Sequence, residues 1–307
     1  MSQPFVSIVC EVYNHEPYLR QCLDGFVMQK VSFPYEILIH DDASTDGSAN
    51  IIREYETKYP GLFRPIYQTE NQYSKGVQMW ASIQFPRARG KYIAICEGDD
   101  YWTDPYKLQK EVDILEKDET LIGVFTNSMV VDNQGNTLEN RRDKIYPGNK
   151  QGRFNLHDFF QNAPSYPTAT VVFRNVNGPE ICEKMVHTYS KYLGDWTLWA
   201  ILHSYGDFYY LDEVTSAYRI NPTSLTHTVD RIGRAKANMT ICKSLKEVLP
   251  EEYGCYLEKG GWMIYSVAHA YRKEKKYISM AAYFSWCLMR YPKFTIKRLI
   301  SKVNKSR

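Results

Sequence analysis

Two hydrophobic periods alternate over the first hundred residues, and this alternation constrains the fold more than any other feature of the chain. Residues 5–10 (FVSIVC), 35–40 (YEILIH), 63–68 and 91–96 (KYIAIC) read as strands. Between them Leu19, Cys22, Leu23, Phe26 and Val27 recur at helical spacing, as do Ile51, Ile52, Tyr55 and Tyr59, and a further helix is expected over 77–85. Ser44, Thr45 or Asp46 is the expected cap of the second helix. Strands separated by helices need right-handed crossovers, so the sheet should be mostly parallel and covered on both faces. Ligands of such sheets gather at the carboxyl ends of the strands.

That rule groups three polar clusters. EVYNH (11–15) follows the first strand, DDAS (41–44) the second and EGDD (97–100) the fourth. All three should lie along one edge of the sheet. Glu97, Asp99 and Asp100 fall within four positions at the end of an apolar run, so their mutual repulsion calls for a cation among them. Oxygen ligands at Glu97 and Asp99, with Gly98 allowing close backbone approach, suit a hard cation such as Mg²⁺ or Mn²⁺, which would in turn bring a diphosphate. Asp99 or Asp100 also fits as the cap of a helix beginning near Asp104 and Pro105. Asp41 and Asp42 stand in DDASTDGS, rich in turn and cap residues, and one of them could instead accept a hydrogen bond from a nucleobase N–H.

The second half is less regular. Residues 169–173 and 208–211 read as strands, 195–202 as a helix opening on an acid, and everything after about 230 as helix. Asp195 suits an N-cap; on an element apart from a metal–diphosphate site, it also suits a general base for an incoming hydroxyl. Arg219 and His227 are candidate phosphate contacts. Tyr271, Tyr277, Phe284 and Pro292 fit one tetratricopeptide-like hairpin, and a single copy cannot form a solenoid, so the end of the chain reads as a packed helical appendage.

Composition narrows the partners. Residues 293–307 hold six Lys/Arg and no acid; 38 basic side chains less these six leaves 32 against 35 acids in the rest, a mildly acidic body with a basic tail. Basic residues are not gathered on the body, which argues against nucleic-acid binding. Seven cysteines are scattered singly, as expected of reduced thiols, and neither a signal sequence nor a run of roughly 20 apolar residues is found. A cytoplasmic protein is expected.

VSIVCEVYNHEPYLRQCLDGFVMQ, YEILIHDDASTDGS, GKYIAICEGDDYWTDPYKLQ and LGDW followed by YRINPTSLTH, in this order, resemble family 2 glycosyltransferases of the GT-A fold, a group of inverting sugar transferases. The resemblance covers about the first 230 positions. It implies an α/β fold with a GT-A catalytic domain over 1–230 and a helical extension over 231–307. It also implies a nucleotide-sugar donor, UDP by family frequency, and Mn²⁺ or Mg²⁺ as cofactor. By it, Tyr13 and Asp42 would hold the base, Glu97 and Asp99 would form the D-x-D-type pair with Asp99 on the metal, and Asp195 would be the catalytic base. Glu11 and Arg219 join the donor-binding set, and His227 is a second candidate metal ligand. Two departures stand out: Glu11-Val12 replaces the usual Pro-Thr or similar pair, and Glu97 replaces the usual Asp.

Trp102 and Trp196, beside the proposed acids, are the acceptor-side candidates, since sugar rings pack on aromatic faces. Ile296, Leu299, Ile300 and Val303 form one helical stripe with Lys297, Lys302 and Lys305 largely off it, the pattern of a helix resting on anionic lipid at the inner membrane face; a solvated terminus is the other reading. A lipid-linked acceptor would make sense of that stripe, and the family resemblance implies a glycan or lipid-linked acceptor in cell-surface polysaccharide synthesis. A nucleotidyltransferase should carry a Gly-rich basic loop after the first strand, where this chain has EVYNHE. A non-catalytic glycan-binding protein on the same fold is the remaining rival, and the retained acids argue against it.

Overall fold

The computed structural model describes residues 3–138, 151–162, 166–176, 178–189, 194–221, 231–253, 271, 273 and 275–290. They fall in two compact units, one of residues 1–187 with 194–222, the other of 188–193 with 223–307.

Among the described residues, the first unit is built on a nine-stranded sheet. Its first strands are β1 (Val6–Val12), β2 (Tyr35–Asp41), β3 (Phe63–Tyr67) and β4 (Tyr92–Ile95), in spatial order β3-β2-β1-β4 and parallel throughout. Helices α1 (Glu16–Val27) and α2 (Ser48–Lys58) form the first two crossovers. Along β1, Val6, Ile8, Cys10 and Val12 join Leu19, Cys22, Leu23 and Phe26 of α1 in one buried cluster, so period 2 meets period 3.6 as the sequence predicts. The helix expected over 77–85 is instead a π-turn at Trp80–Gln84 followed by a 3₁₀ turn at Phe85–Arg87. Pro86 lacks the N–H that a regular α-helix would need there.

Beyond β4 lie β5 (Tyr101–Trp102), α3 (Lys107–Lys117), β6 (Leu121–Val131), β7 (Gly152–Phe154), α4 (Leu156–Asn162), β8 (Val171–Arg174), α5 (Gly178–His187), α6 (Gly194–Leu202) and β9 (Asp207–Arg219). The sheet continues β4-β8-β6-β9-β5, with β8 antiparallel to both neighbours, β6 parallel to β9, and β7 on β9. This half packs on aromatics: Phe125 stacks on Tyr166 at 4.0 Å between centroids, and Phe159 on Trp196 at 5.2 Å. Buried His203 sits in this cluster with Nε2 3.3 Å from the Tyr166 hydroxyl, and burial pushes its imidazole down to about 3.

In the second unit the described residues include helices α7 (Arg231–Val248) and α8 (Tyr277–Arg290). His227 and the 293–307 stripe lie outside the described residues. The described Cys10, Cys22, Cys96 and Cys182 are free thiols.

Candidate active site

The parallel register brings the three acidic clusters together. Val12 pairs with Asp41 and Val9 with Ile95, and two further ladder bonds carry the sheet past the strand ends: Asp42 N–H to Val12 O (2.9 Å) and Gly98 N–H to Glu11 O (3.0 Å). The expected edge therefore exists.

The loops after β1 and β2 are zipped by reciprocal caps. Asp46 accepts from the N–H groups of Glu16 (3.0 Å) and Ser48 (3.0 Å), the Glu16 carboxylate accepts from Gly47 N–H (2.7 Å), and Ser48 Oγ accepts from His15 N–H (2.9 Å). Each helix start thus supplies side chains that satisfy the orphan amides of the other. The N-cap of α2 is Gly47 rather than the expected Ser44, Thr45 or Asp46; Asp46, one residue earlier, instead accepts amides at the starts of both helices. Asn14 (φ 56°) and Ala43 (φ 60°) take left-handed backbone at these turns, a strained choice for alanine. Tyr13 projects from this frame, 46% exposed.

Glu11 and Asp42 are engaged from within the protein. Glu11 Oε2 lies 2.6 Å from Nδ1 of fully buried His40, its partner across the β1–β2 register. His40 Nε2 faces the side-chain amide nitrogen of Gln68 at 3.1 Å, an arrangement that places the ring proton on Nδ1, donating to Glu11. Burial raises the Glu11 pKa in spite of His40. Asp42, 2% exposed, accepts the backbone N–H groups of Gln72 (2.6 Å) and Tyr73 (3.0 Å), one on each oxygen. It clamps the segment after β3.

The end of β4 is different. The Thr168 hydroxyl donates to Glu97, yet burial, followed by the charges of Asp99 and Asp195, pushes Glu97 up to about 7. Asp100 is raised by burial and by both neighbours, and accepts the Arg219 N–H at 2.7 Å. The Asp99 carboxylate is partly exposed and accepts no hydrogen bond from the described residues. Gly98 has a structural reason to be glycine: a Cβ there would come within 2.7 Å of His15 Nδ1 and 3.1 Å of Val12. Asp195 stands in the first turn of α6, with Oδ1 accepting from the N–H of Trp196 at 2.7 Å, and its charge is felt at Glu97.

Three expected roles are corrected. Arg219 is 4% exposed, with its three guanidinium nitrogens engaged by the protein. Its Nε donates to Asp99 O (2.9 Å), Nη1 to Asp132 O and Asn133 O, and Nη2 to Gln21 Oε1 (2.8 Å), with the guanidinium over the Tyr18 ring. It fixes the Asp99–Asp100 turn from behind. Trp102 is 2% exposed, packs edge-on against Phe26 and donates to Ala169 O, so it is core and offers no face to an acceptor. Trp196 is buried against Phe159 and is likewise core. Sequence reasoning passed over Thr168 and His40; for His40 the signal was present, since aligning the ends of the first two strands places it beside Glu11.

The chain belongs to glycosyl transferase family 2, whose profile matches residues 7–176, more than half of its length. Over 112 residues it is 51% identical to an uncharacterized protein of Mycobacterium tuberculosis, an overlap covering 36% of this chain and 32% of that protein. Over 97 residues it is 38% identical to a poly(ribitol-phosphate) beta-glucosyltransferase of Bacillus spizizenii, covering 31% and 15%. The chain thus spans a third or less of the length of these relatives. Among solved structures, S. aureus TarS 1-349 in complex with UDP superposes with a TM-score of 0.61 at 13% identity, over 87% of this chain and 72% of that one. The mannosyltransferase PcManGT from Pyrobaculum calidifontis in complex with GDP-Man and Mn²⁺ gives 0.57 at 16% identity, over 100% and 81%. The fold is of the GT-A type.

Proposed function

We propose that this protein transfers a sugar from a nucleotide-diphosphate donor, UDP-linked, to a hydroxyl of a glycan or lipid-linked acceptor, with inversion at the anomeric carbon. The observation that carries the reading is the meeting of Asp195, from the start of α6, with Glu97 and Asp99 beyond β4: burial raises Glu97 to about 7, and the charges of Asp99 and then Asp195 add to it. Two separate elements bring carboxylates to one place, as a metal-assisted displacement with a general base requires.

Mn²⁺ or Mg²⁺ fits these residues: three carboxyl groups crowd the β4 end, and Asp99 presents a carboxylate that accepts no hydrogen bond from the described residues. No group of three His, Cys, Asp or Glu side chains able to hold a metal stands together among the described residues. Asp99 would hold the cation from the protein side, with His227 a further candidate, and diphosphate oxygens and water would complete its shell. A divalent cation, when bound, supplies charge neutralisation on the leaving diphosphate. The chain's own residues do the rest. Exposed Tyr13 offers a face for the base, and Asp42 shapes the wall beside it through Gln72 and Tyr73. Thr168 holds Glu97, Arg219 holds the Asp99 turn, and Asp195 takes the proton of the attacking hydroxyl.

The TarS complex supports UDP, the PcManGT complex supports a divalent cation, and the glucosyltransferase relative, named for a poly(ribitol-phosphate) acceptor, supports a cell-surface polymer. A cytoplasmic site of action, at the inner membrane face for a lipid-linked acceptor, goes with that reading. No helix among the described residues is long and apolar enough to cross a membrane. Division into a catalytic 1–230 and a helical 231–307 belongs to the same proposal. The end of β1 and the loop after it read Glu11-Val12-Tyr13-Asn14-His15-Glu16, where a nucleotidyltransferase needs a Gly-rich basic phosphate loop.

A thermal-shift panel of nucleotide sugars with and without Mn²⁺ tests donor binding, and release of UDP tests turnover. Asp195→Asn should lower turnover by about 10²- to 10⁴-fold with donor affinity unchanged. Normal turnover in that variant, or lost donor affinity, would remove Asp195 from the role.

A further inference from the structure

In the second unit, α8 (YISMAAYFSWCLMR) contains one charged residue, Arg290, yet much of it faces solvent. Ile278 is 89% exposed, Met289 78% and Tyr277 58%. Ala281, Ala282 and Ser285 are exposed as well. Positions 278, 281, 282, 285 and 289 fall on a single stripe at 100° per residue, so the outward face carries no charge where a water-facing helix would be polar.

Charge gathers at both ends of this helix. Exposed Lys273, Lys275 and Lys276 stand immediately ahead of it. Lys275 takes φ 56° and the Lys276 N–H returns to Tyr271 O at 2.9 Å, a tight turn that sets all three lysines at the helix head. A helix N-terminus already bears partial positive charge, so three ammonium groups there are unfavourable unless anions meet them. In the sequence, residues 271–307 hold eleven Lys/Arg and one acid, Glu274. A second copy of this chain would bring the same positive charge to the face. An anionic bilayer brings phosphates for the lysines and acyl chains for the stripe.

We propose that α8 is an interfacial helix that rests on anionic membrane, its Ile278–Met289 stripe sunk at the level of the headgroup–acyl boundary and Lys273, Lys275 and Lys276 on lipid phosphates. This stands on the second unit alone and does not depend on the transferase reading.

The experiment is flotation of the full chain with vesicles of phosphatidylcholine alone or with 30% phosphatidylglycerol. The protein should float with the anionic vesicles only, and high salt should weaken it. I278E/M289E, which leaves every lysine and residues 293–307 intact, should lower the partition coefficient by at least about 10-fold. Lys273, Lys275 and Lys276 changed together to Gln should lower it on the order of 100-fold. Both sets lie on exposed positions, and an unchanged far-UV circular dichroism spectrum checks that the helix survives. Wild-type protein that stays unbound, or an I278E/M289E variant that floats as well as wild type, overturns the proposal. So does an I278E/M289E variant that converts a dimer to monomer in sedimentation while partition is unchanged, which would make the stripe a protein interface.

Discussion

The acids beyond β1 and β2 and those beyond β4 border the same sheet, but they are held in opposite ways. Glu11 has His40, Asp42 has two backbone amides, and Asp46 and Glu16 cap each other's helices. Glu97 and Asp100 are raised by burial first and then by the charges beside them, with a hydroxyl on Glu97 and one amide on Asp100 as relief, and Asp99 stands between them. A buried carboxylate that accepts several protein hydrogen bonds belongs to the architecture, whereas one left to its like-charged neighbours awaits something from outside. Acid-rich sequence looks alike in both places; only the inventory of donors separates scaffold from site.

Three substitutions sharpen that contrast. His40→Ala leaves the Glu11 carboxylate buried without its partner and opens a hole under β2, so chemical denaturation should show a loss of about 4 kcal/mol. Most of the charge penalty should return when Glu11→Gln is added; a double variant no better than the single would mean the pair is not coupled. Asp42→Ala strands the amides of Gln72 and Tyr73 and should cost about 3 kcal/mol by the same measurement, independent of divalent cation. Asp99→Asn should do the reverse in metal-free buffer, raising stability by about 0.5 kcal/mol through removal of a repelling charge, while Mn²⁺-dependent stabilisation by UDP disappears. If Asp99→Asn were as damaging as Asp42→Ala, the two ends would be the same kind of structure and the contrast would fall.

Much of this was legible in the residues. Continuous apolar runs marked β1, β2 and β4, and the carboxyl-end rule placed the three clusters on one edge, because parallel strands fed by crossover helices leave little choice of direction. The eleven residues of β6, LIGVFTNSMVV, hide their strand because Thr126, Asn127 and Ser128 interrupt the apolar pattern. Trp102 and Trp196 lie inside for a physical reason: nearness in sequence to the proposed site acids does not say which side of the chain an indole faces, and both face inward. Arg219 read as a phosphate contact because cations near acids suggest ligands, while its four hydrogen-bond acceptors come from Gln21, Asp99, Asp132 and Asn133, a set no local pattern displays.

Arg219 also imposes an order on events in time. It lies about 120 positions after the turn it braces, and it is the last residue of β9. During synthesis the parallel half can collapse while the turn beyond β4 is still untethered, since closing so long a loop must wait for the late strand. The chain would leave the ribosome with the β1–β4 wall already standing and the Asp99–Asp100 corner set only when β9 arrives.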